Sequence, residues 1–257
     1  MASNSSSVPL PLPELSLAPG ALAIADLHLD PASGEPTAFL RFLERAARAP
    51  QLFVLGDLFD VWVGPAQANA PGTAVVLDAL AACTRGGTHV AIVPGNRDFL
   101  LDARFRARTG VHLYDEGFVG RCEDGARWLA VHGDSFCTRD TGYLRLRRVV
   151  RSRAVRALAP RLPLFVGALL ARRLRRASVR ALRSKLPEAK SMQASAVLAG
   201  ARAHGCAGVV CGHAHEFRDE QITGGPRWIV LAAFGAGRDV LAVGRGGAVT
   251  TQSSATV

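Results

Sequence analysis

The sequence predicts an α/β fold in which a second sheet packs on the first and a helical insertion interrupts the core. Three observations carry this. Short apolar runs rich in β-branched residues recur and each ends in polar residues; helix-like stretches alternate with the first of them; and one long Arg-rich amphipathic block breaks the series. With 257 residues, 49% of them hydrophobic, the chain can bury a substantial core as one domain carrying an insertion.

Taken in order, residues 1–20, "MASNSSSVPLPLPELSLAPG", are Ser- and Pro-rich and lack the basic start of a secretory signal, which predicts a disordered tail. The domain itself is expected over 21–257. "ALAIADLHLD" (21–30), "LFVLGDLFD" (52–60) and "HVAIVPGNRD" (89–98) read as buried strands whose carboxyl ends meet loops. "PTAFLRFLERAARA" and "AVVLDALAACTRGG" lie between them, with apolar residues at helical spacing. "RWLAVHGD" (127–134) and "GVVCGHAH" (208–215) repeat the strand pattern. After His215 only strands and turns remain, in "EFRDEQI", "RWIVLAAF", "DVLAVGRG" and "AVTTQ", and these are expected to build the second sheet.

The block at 138–205 has a different period. Leu, Val and Ala alternate with Arg at helical spacing, broken by Pro160 and Pro163, which predicts two or three inserted helices. The net charge of +10 comes from this block: Thr138 to Lys190 holds 16 Lys and Arg against Asp140 and Glu188, leaving 15 basic and 19 acidic residues elsewhere. No uncharged apolar run reaches the length of about 18 residues that a membrane span needs. The five cysteines (Cys83, Cys122, Cys137, Cys206, Cys211) are odd in number and scattered, without C-x-x-C spacing, which suits a reducing compartment and points to the cytoplasm.

The polar residues at the strand ends are Asp26 and His28, Asp57, Asn96, His132, and His213 with His215. Carboxylate, imidazole and amide oxygen are the ligand set for one or two divalent cations of the Mn, Fe or Zn type. Each motif alone has an ordinary structural reading: Asp26 as a cap, Gly-Asp and Pro-Gly-Asn as turns, His132 as a hydrogen-bonded core histidine. In an α/β sheet, however, the carboxyl ends of parallel strands lie together, so five such ends in one chain form a joint site. His89, His112 and His204 sit away from these ends and read as structural.

In this order D-x-H, G-D, G-N, H-G-D and G-H-x-H resemble the calcineurin-like metallophosphoesterase superfamily, over Ala23 to about His215. Within it, "ADLHLD", "LGDLFDVWVG", "PGNRDFLL", "HGDSFCTRDTGY" and "LPLFVGALLARRLRR" are most similar to the UDP-2,3-diacylglucosamine pyrophosphohydrolase family of lipid A biosynthesis. The resemblance implies an αββα sandwich of two sheets, a helical cap over the site that receives acyl chains, and two Mn2+ ions, with other divalent cations able to substitute. It implies cleavage of UDP-2,3-diacylglucosamine to 2,3-diacylglucosamine 1-phosphate and UMP. By motif, Asp26, His28 and His215 would hold one metal, Asn96, His132 and His213 the other, and Asp57 would bridge them. His213 would also meet substrate, as would Asp140, Tyr143 and Lys190, while Asp134 would fix a ligand from behind.

Many superfamily members carry histidine where this chain has Arg97. A departing phosphate monoester, with a pKa near 6, needs no general acid, whereas crowded phosphate charge is well met by a forked guanidinium. Arg97 therefore argues for a diphosphate. The basic insertion suits an acylated, UDP-linked glucosamine lipid at the anionic inner-membrane surface. Nucleic acid is the weaker partner because aromatics for base stacking are scarce. A diverged member acting on another nucleotide diphosphate, a phosphodiester or nucleic acid is the alternative, and oligomeric state is left open.

Overall fold

The computed structural model describes residues 11–30, 36–161 and 191–257, with isolated positions from 163 to 173. Among the described residues twelve strands form two six-stranded sheets, in the orders β12-β11-β2-β3-β4-β5 and β1-β6-β7-β8-β10-β9. The first is built on the parallel trio β2 (Leu22–Ile24), β3 (Gln51–Val54) and β4 (His89–Ile92). β5 (His112–Leu113) extends it on one side; β11 (Val240–Val243) and β12 (Val249–Gln252) close the other, both antiparallel. The second sheet contains β1 (Glu14–Ser16), β6 (Phe118–Arg121), β7 (Arg127–Ala130), β8 (Gly208–Cys211), β9 (Arg218–Gln221) and β10 (Arg227–Val230), with β7, β8 and β10 mutually parallel.

Three apolar clusters define the layers. One lies between the first sheet and helices α1 (Thr37–Ala46), α2 (Pro71–Arg85) and α3 (Ala103–Thr109), with Phe39, Phe42, Leu77 and Trp62 fully buried. The second fills the space between the sheets with small and aromatic side chains, among them Ala23, Ala25, Phe53, Phe118 and Ile229. The third packs Val197 and Ala201 of α6 (Ala194–Ala203) against Leu129, Val209 and Trp228. The result is the expected αββα sandwich, a strand surface of β-branched and aromatic residues covered by amphipathic helices on both outer faces.

Three expectations need correction. The strands after His215 do not form a sheet of their own: β9 and β10 join one sheet, β11 and β12 the other, because β10 pairs parallel with β8 while β11 returns to pair with β2. Part of the expected tail is ordered, since Glu14–Ser16 pairs parallel with β6, Leu17 is buried, and Glu14 forms ion pairs with Arg121 and Arg127. Its prolines flank an edge strand, where a missing N–H is harmless. The insertion also ends before 205: α6 packs on β7 and β8 as the outer helical layer of the second sheet. What precedes it includes α4 (Thr141–Val150) and α5 (Arg153–Leu158); most of 162–190, with Lys190, lies outside the described residues. Among the described residues no helix is long and apolar enough to cross a membrane.

Candidate metal centre

The carboxyl ends of β2, β3 and β4 from one sheet meet those of β7 and β8 from the other, and all seven expected ligands gather there. Asp26 Oδ1 lies 3.6 Å from His215 Nε2 and 3.9 Å from His28 Nε2, and the two imidazole nitrogens are 2.9 Å apart. On the other side Asn96 Oδ1 lies 2.9 Å from His132 Nε2 and 3.2 Å from His213 Nδ1. Asp57 stands between the two groups, with Oδ2 3.9 Å from His28 Nδ1 and Oδ1 3.8 Å from His132 Nε2.

The backbone is bent to achieve this. Among the described residues five that are not glycine have positive φ, and they are Asp26, His28, Asp57, His213 and His215. Each such residue costs about 1–3 kcal/mol and persists only where its surroundings enforce it, a cost that clusters at functional sites. Two glycines supply the room. A Cβ on Gly95 would fall on the Asp57 carboxylate, and one on Gly212 would fall on the Asp26 carboxylate. Gly212→Ala is therefore expected to displace Asp26, lowering stability by about 1–3 kcal/mol and weakening manganese binding at least tenfold. Thermal unfolding of metal-free protein and a manganese titration measure both.

The donor set fits divalent cations. Asp26 Oδ1 and His28 Nδ1 are buried without a hydrogen-bond partner, and both face other candidate ligands. Unpaired buried polar atoms are costly, and a cation satisfies them. His132 Nδ1 donates to the Leu55 carbonyl at 3.0 Å, which leaves Nε2 as the lone-pair nitrogen facing Asn96. Burial pushes the Asp26 carboxyl up to about 6 and lowers His28 to about 4 and His213 to about 3. Burial also raises Asp57, with the Asp26 charge adding to it. Burial disfavours the charged form of His132, but Asp57, Asp26 and Asp134 outweigh it and raise its pKa.

A pH dependence follows. The imidazoles of His28 and His213 are already neutral at pH 6, so the protons that compete with metal there sit on Asp26, Asp57 and His132, whose pKa is raised by the neighbouring carboxylates. Manganese affinity should fall as pH drops from 8 toward 5, with more protons released on binding near pH 6 than at pH 8. Calorimetry in two buffers of different ionisation heat measures it; an affinity constant from pH 5 to 8 contradicts it.

The family model for calcineurin-like phosphoesterases matches residues 21–217. The chain belongs to that family. This phosphoesterase is 37% identical over 215 residues to the UDP-2,3-diacylglucosamine hydrolase of Sodalis glossinidius, covering 83% of this chain and 89% of that one. It is 38% identical over 220 residues to the enzyme of that name from Ralstonia nicotianae, covering 80% and 81%. It is 39% identical over 196 residues to that from Escherichia coli O7:K1, covering 76% and 81%.

Other expected site residues of this phosphoesterase have different surroundings. Arg97 does not pair with Asp98 or Asp102. Its Nη1 donates to Asp60 at 2.8 Å, its Nε lies 3.4 Å from Asp57 Oδ2, and its backbone N–H donates to Asp57 Oδ1 at 2.9 Å. Asp98 is fully buried and accepts from the N–H groups of Gly95 and Leu58, while Asp102 caps α3. Asp134 does not reach a ligand by hydrogen bond; it accepts from Tyr143 Oη at 2.5 Å and Arg147 Nε at 2.8 Å. Burial opposes its charge, but His132, Arg147 and Arg151 hold its carboxyl below the usual range. Tyr143 is thus engaged with Asp134, and Asp140 caps α4 by accepting from the Tyr143 N–H. His89 and His112 stack on each other with ring centres 4.5 Å apart.

The sequence does not single out Asp60, Arg147 or Arg151. The acid three residues after Asp57 in "GDLFD" is the one local signal for Asp60; the arginines were hidden among many others.

Proposed function

We propose that this chain hydrolyses the pyrophosphate of UDP-2,3-diacylglucosamine, yielding UMP and 2,3-diacylglucosamine 1-phosphate. The observation that carries the reading is Arg97: in a family whose relatives bear that enzyme name, its guanidinium stands beside Asp57 at the candidate metal centre. Two divalent ions, Mn2+ in our reading, held by Asp26, His28 and His215, by Asn96, His132 and His213, and by Asp57 between them, would activate water and neutralise phosphoryl charge. Arg97 then orients the diphosphate through its fork and takes up charge as the phosphorus–oxygen bond breaks. The departing phosphate leaves without a proton donor, so no acid is needed where Arg97 stands. Asp57 and Asp60 keep the guanidinium turned into the site before substrate arrives.

The test is product formation with Mn2+ from UDP-2,3-diacylglucosamine, offered beside UDP-N-acetylglucosamine, a cyclic nucleotide and single-stranded DNA. UMP from the first alone supports the reading; metal-dependent cleavage of another substrate instead overturns it.

The insertion supports action at the cytoplasmic face of an anionic membrane. Of the exposed large hydrophobic residues described, Leu146, Val149, Leu158, Phe165 and Leu169 belong to it and Val75 alone does not. The same insertion also exposes Arg145, Arg148 and Arg153. Each near-surface cation adds about 1 kcal/mol to binding at anionic lipid. The protein should float with anionic vesicles and release as salt approaches 1 M, where the screening length is about 3 Å; equal binding to neutral vesicles contradicts this.

A further inference from the structure

The basic insertion does more than present charge outward. Arg151, at the C-terminus of α4, has a side chain only 10% exposed. Its Nη2 donates to the carbonyl oxygens of both Pro94 and Gly95 at 2.9 Å, and its Nη1 donates to the Asp115 carbonyl at 2.7 Å. Pro94 and Gly95 immediately precede Asn96 and Arg97. One guanidinium from the insertion therefore grips the turn that carries a candidate metal ligand and the candidate diphosphate contact.

Two neighbouring arginines seat it. Arg147, one helical turn earlier, bridges Asp134 Oδ2 and Glu116 Oε2, each at 2.8 Å. Arg156 on α5 forms a two-pronged pair with Asp115 at 2.6 and 2.8 Å. The turn is also held from within, by Asp98 accepting from Gly95 N–H and Asp57 accepting from Arg97 N–H. Those two bonds fix the amides of the turn, whereas its carbonyls at Pro94 and Gly95 face Arg151. Nη2 meets both turn carbonyls while Nη1 holds the Asp115 carbonyl, so the planar fork fixes the turn against the segment at 115 in one orientation, which a point charge cannot do.

We propose that Arg151 is a positioning residue of the metal centre: by holding the Pro94 and Gly95 carbonyls it sets Asn96 and Arg97, so that the Asn96 side of the site is assembled only when the insertion is seated on the core. The proposal rests on reading the site as a two-metal centre. It acts through Asn96 Oδ1, which must stay near His132 Nε2 and His213 Nδ1 to share a cation with them.

Arg156→Ala is the control, since it removes the side-chain pair with Asp115 while Arg147 still seats the insertion and Arg151 keeps both turn carbonyls. In metal-free protein, hydrogen exchange of the peptide spanning 94–98 should rise at least tenfold in Arg151→Ala and stay within twofold of wild type in Arg156→Ala. In a Mn2+ titration Arg151→Ala should bind the first equivalent normally and the second at least tenfold more weakly. With substrate, kcat should fall at least tenfold while KM moves less than threefold. Should Arg151→Ala not fold, Arg151→Lys carries the comparison. An ammonium cannot serve both turn carbonyls and Asp115 in the fork's geometry, so the same rise in exchange and the same weakened second equivalent are expected. Exchange and second-metal binding no different from the Arg156→Ala control overturn the assignment. A wild-type protein that binds fewer than two Mn2+ overturns the two-metal reading instead, while the exchange comparison still judges whether Arg151 holds the turn.

Discussion

Asp57→Asn should abolish metal-dependent hydrolysis, by about 10^3-fold or more, and yet leave a metal-free protein more stable than the wild type. The first half follows because Asp57 stands between the two groups of candidate ligands and faces each with a different oxygen, His28 through Oδ2 and His132 through Oδ1. Losing several kcal/mol of charge stabilisation converts at about 1.4 kcal/mol per factor of ten. The second half follows from burial. The Asp57 carboxyl is raised by desolvation and the nearby Asp26, so its ionised form costs folding free energy when no cation is present. Asparagine keeps the acceptor for the Arg97 N–H and removes the charge. A group whose folded pKa is raised contributes full stability below its unfolded value and loses it as pH rises through the folded one. The variant's advantage, about 1–3 kcal/mol, should therefore be present at pH 8 and vanish below about pH 4, and thermal unfolding after chelation measures it. A variant less stable than wild type at pH 8 without metal would show that Asp57 is a structural residue first.

Arg97→Ala should lower kcat/KM for the diphosphate substrate by about 10^2- to 10^3-fold, the usual cost of removing one donor aimed at developing charge. Arg97→Lys should recover only part of this, because a point charge cannot fork across two phosphate oxygens. The same variants should lose much less on an aryl phosphodiester, which carries one phosphoryl group and places no second anion against the guanidinium. Steady-state rates on both substrates check it. Equal losses on both, or full recovery with lysine, would mean that Arg97 serves chiefly to balance Asp57 and Asp60.

The parts of this molecule that were legible in the sequence are those where one short segment carries its own signal. "LGD", "PGN", "VHGD" and "GHAH" each join an apolar strand to a ligand-type side chain, and the glycines at 95 and 212 mark where a neighbouring carboxylate takes the space of a Cβ. The fold class followed from the same strands, since their spacing alternates with helices α1 and α2. What the sequence hid was pairing between distant segments. Glu14–Ser16 is three residues long and becomes a strand only through β6; β10 pairs with β8 and not with its sequence successor β11. Asp98 is Arg97's neighbour in the sequence, but it turns inward to the amides of Leu58 and Gly95. Tyr143 and Asp140 lie in a motif that resembles a substrate-binding one, and in the fold they meet Asp134 and the first turn of α4. The left-handed backbone at Asp26, His28, Asp57, His213 and His215 has no sequence signature at all, because only tertiary packing forces such residues there.

Seven side chains from five strand ends are expected to act together on two cations. Titrating chelated protein with Mn2+ while following UMP release from UDP-2,3-diacylglucosamine tests it most directly. The expected result is negligible rate at one equivalent, a steep rise between one and two, and saturation at two, with Asp57→Asn flat throughout. Full activity at one equivalent, or activity that survives chelation, would contradict it.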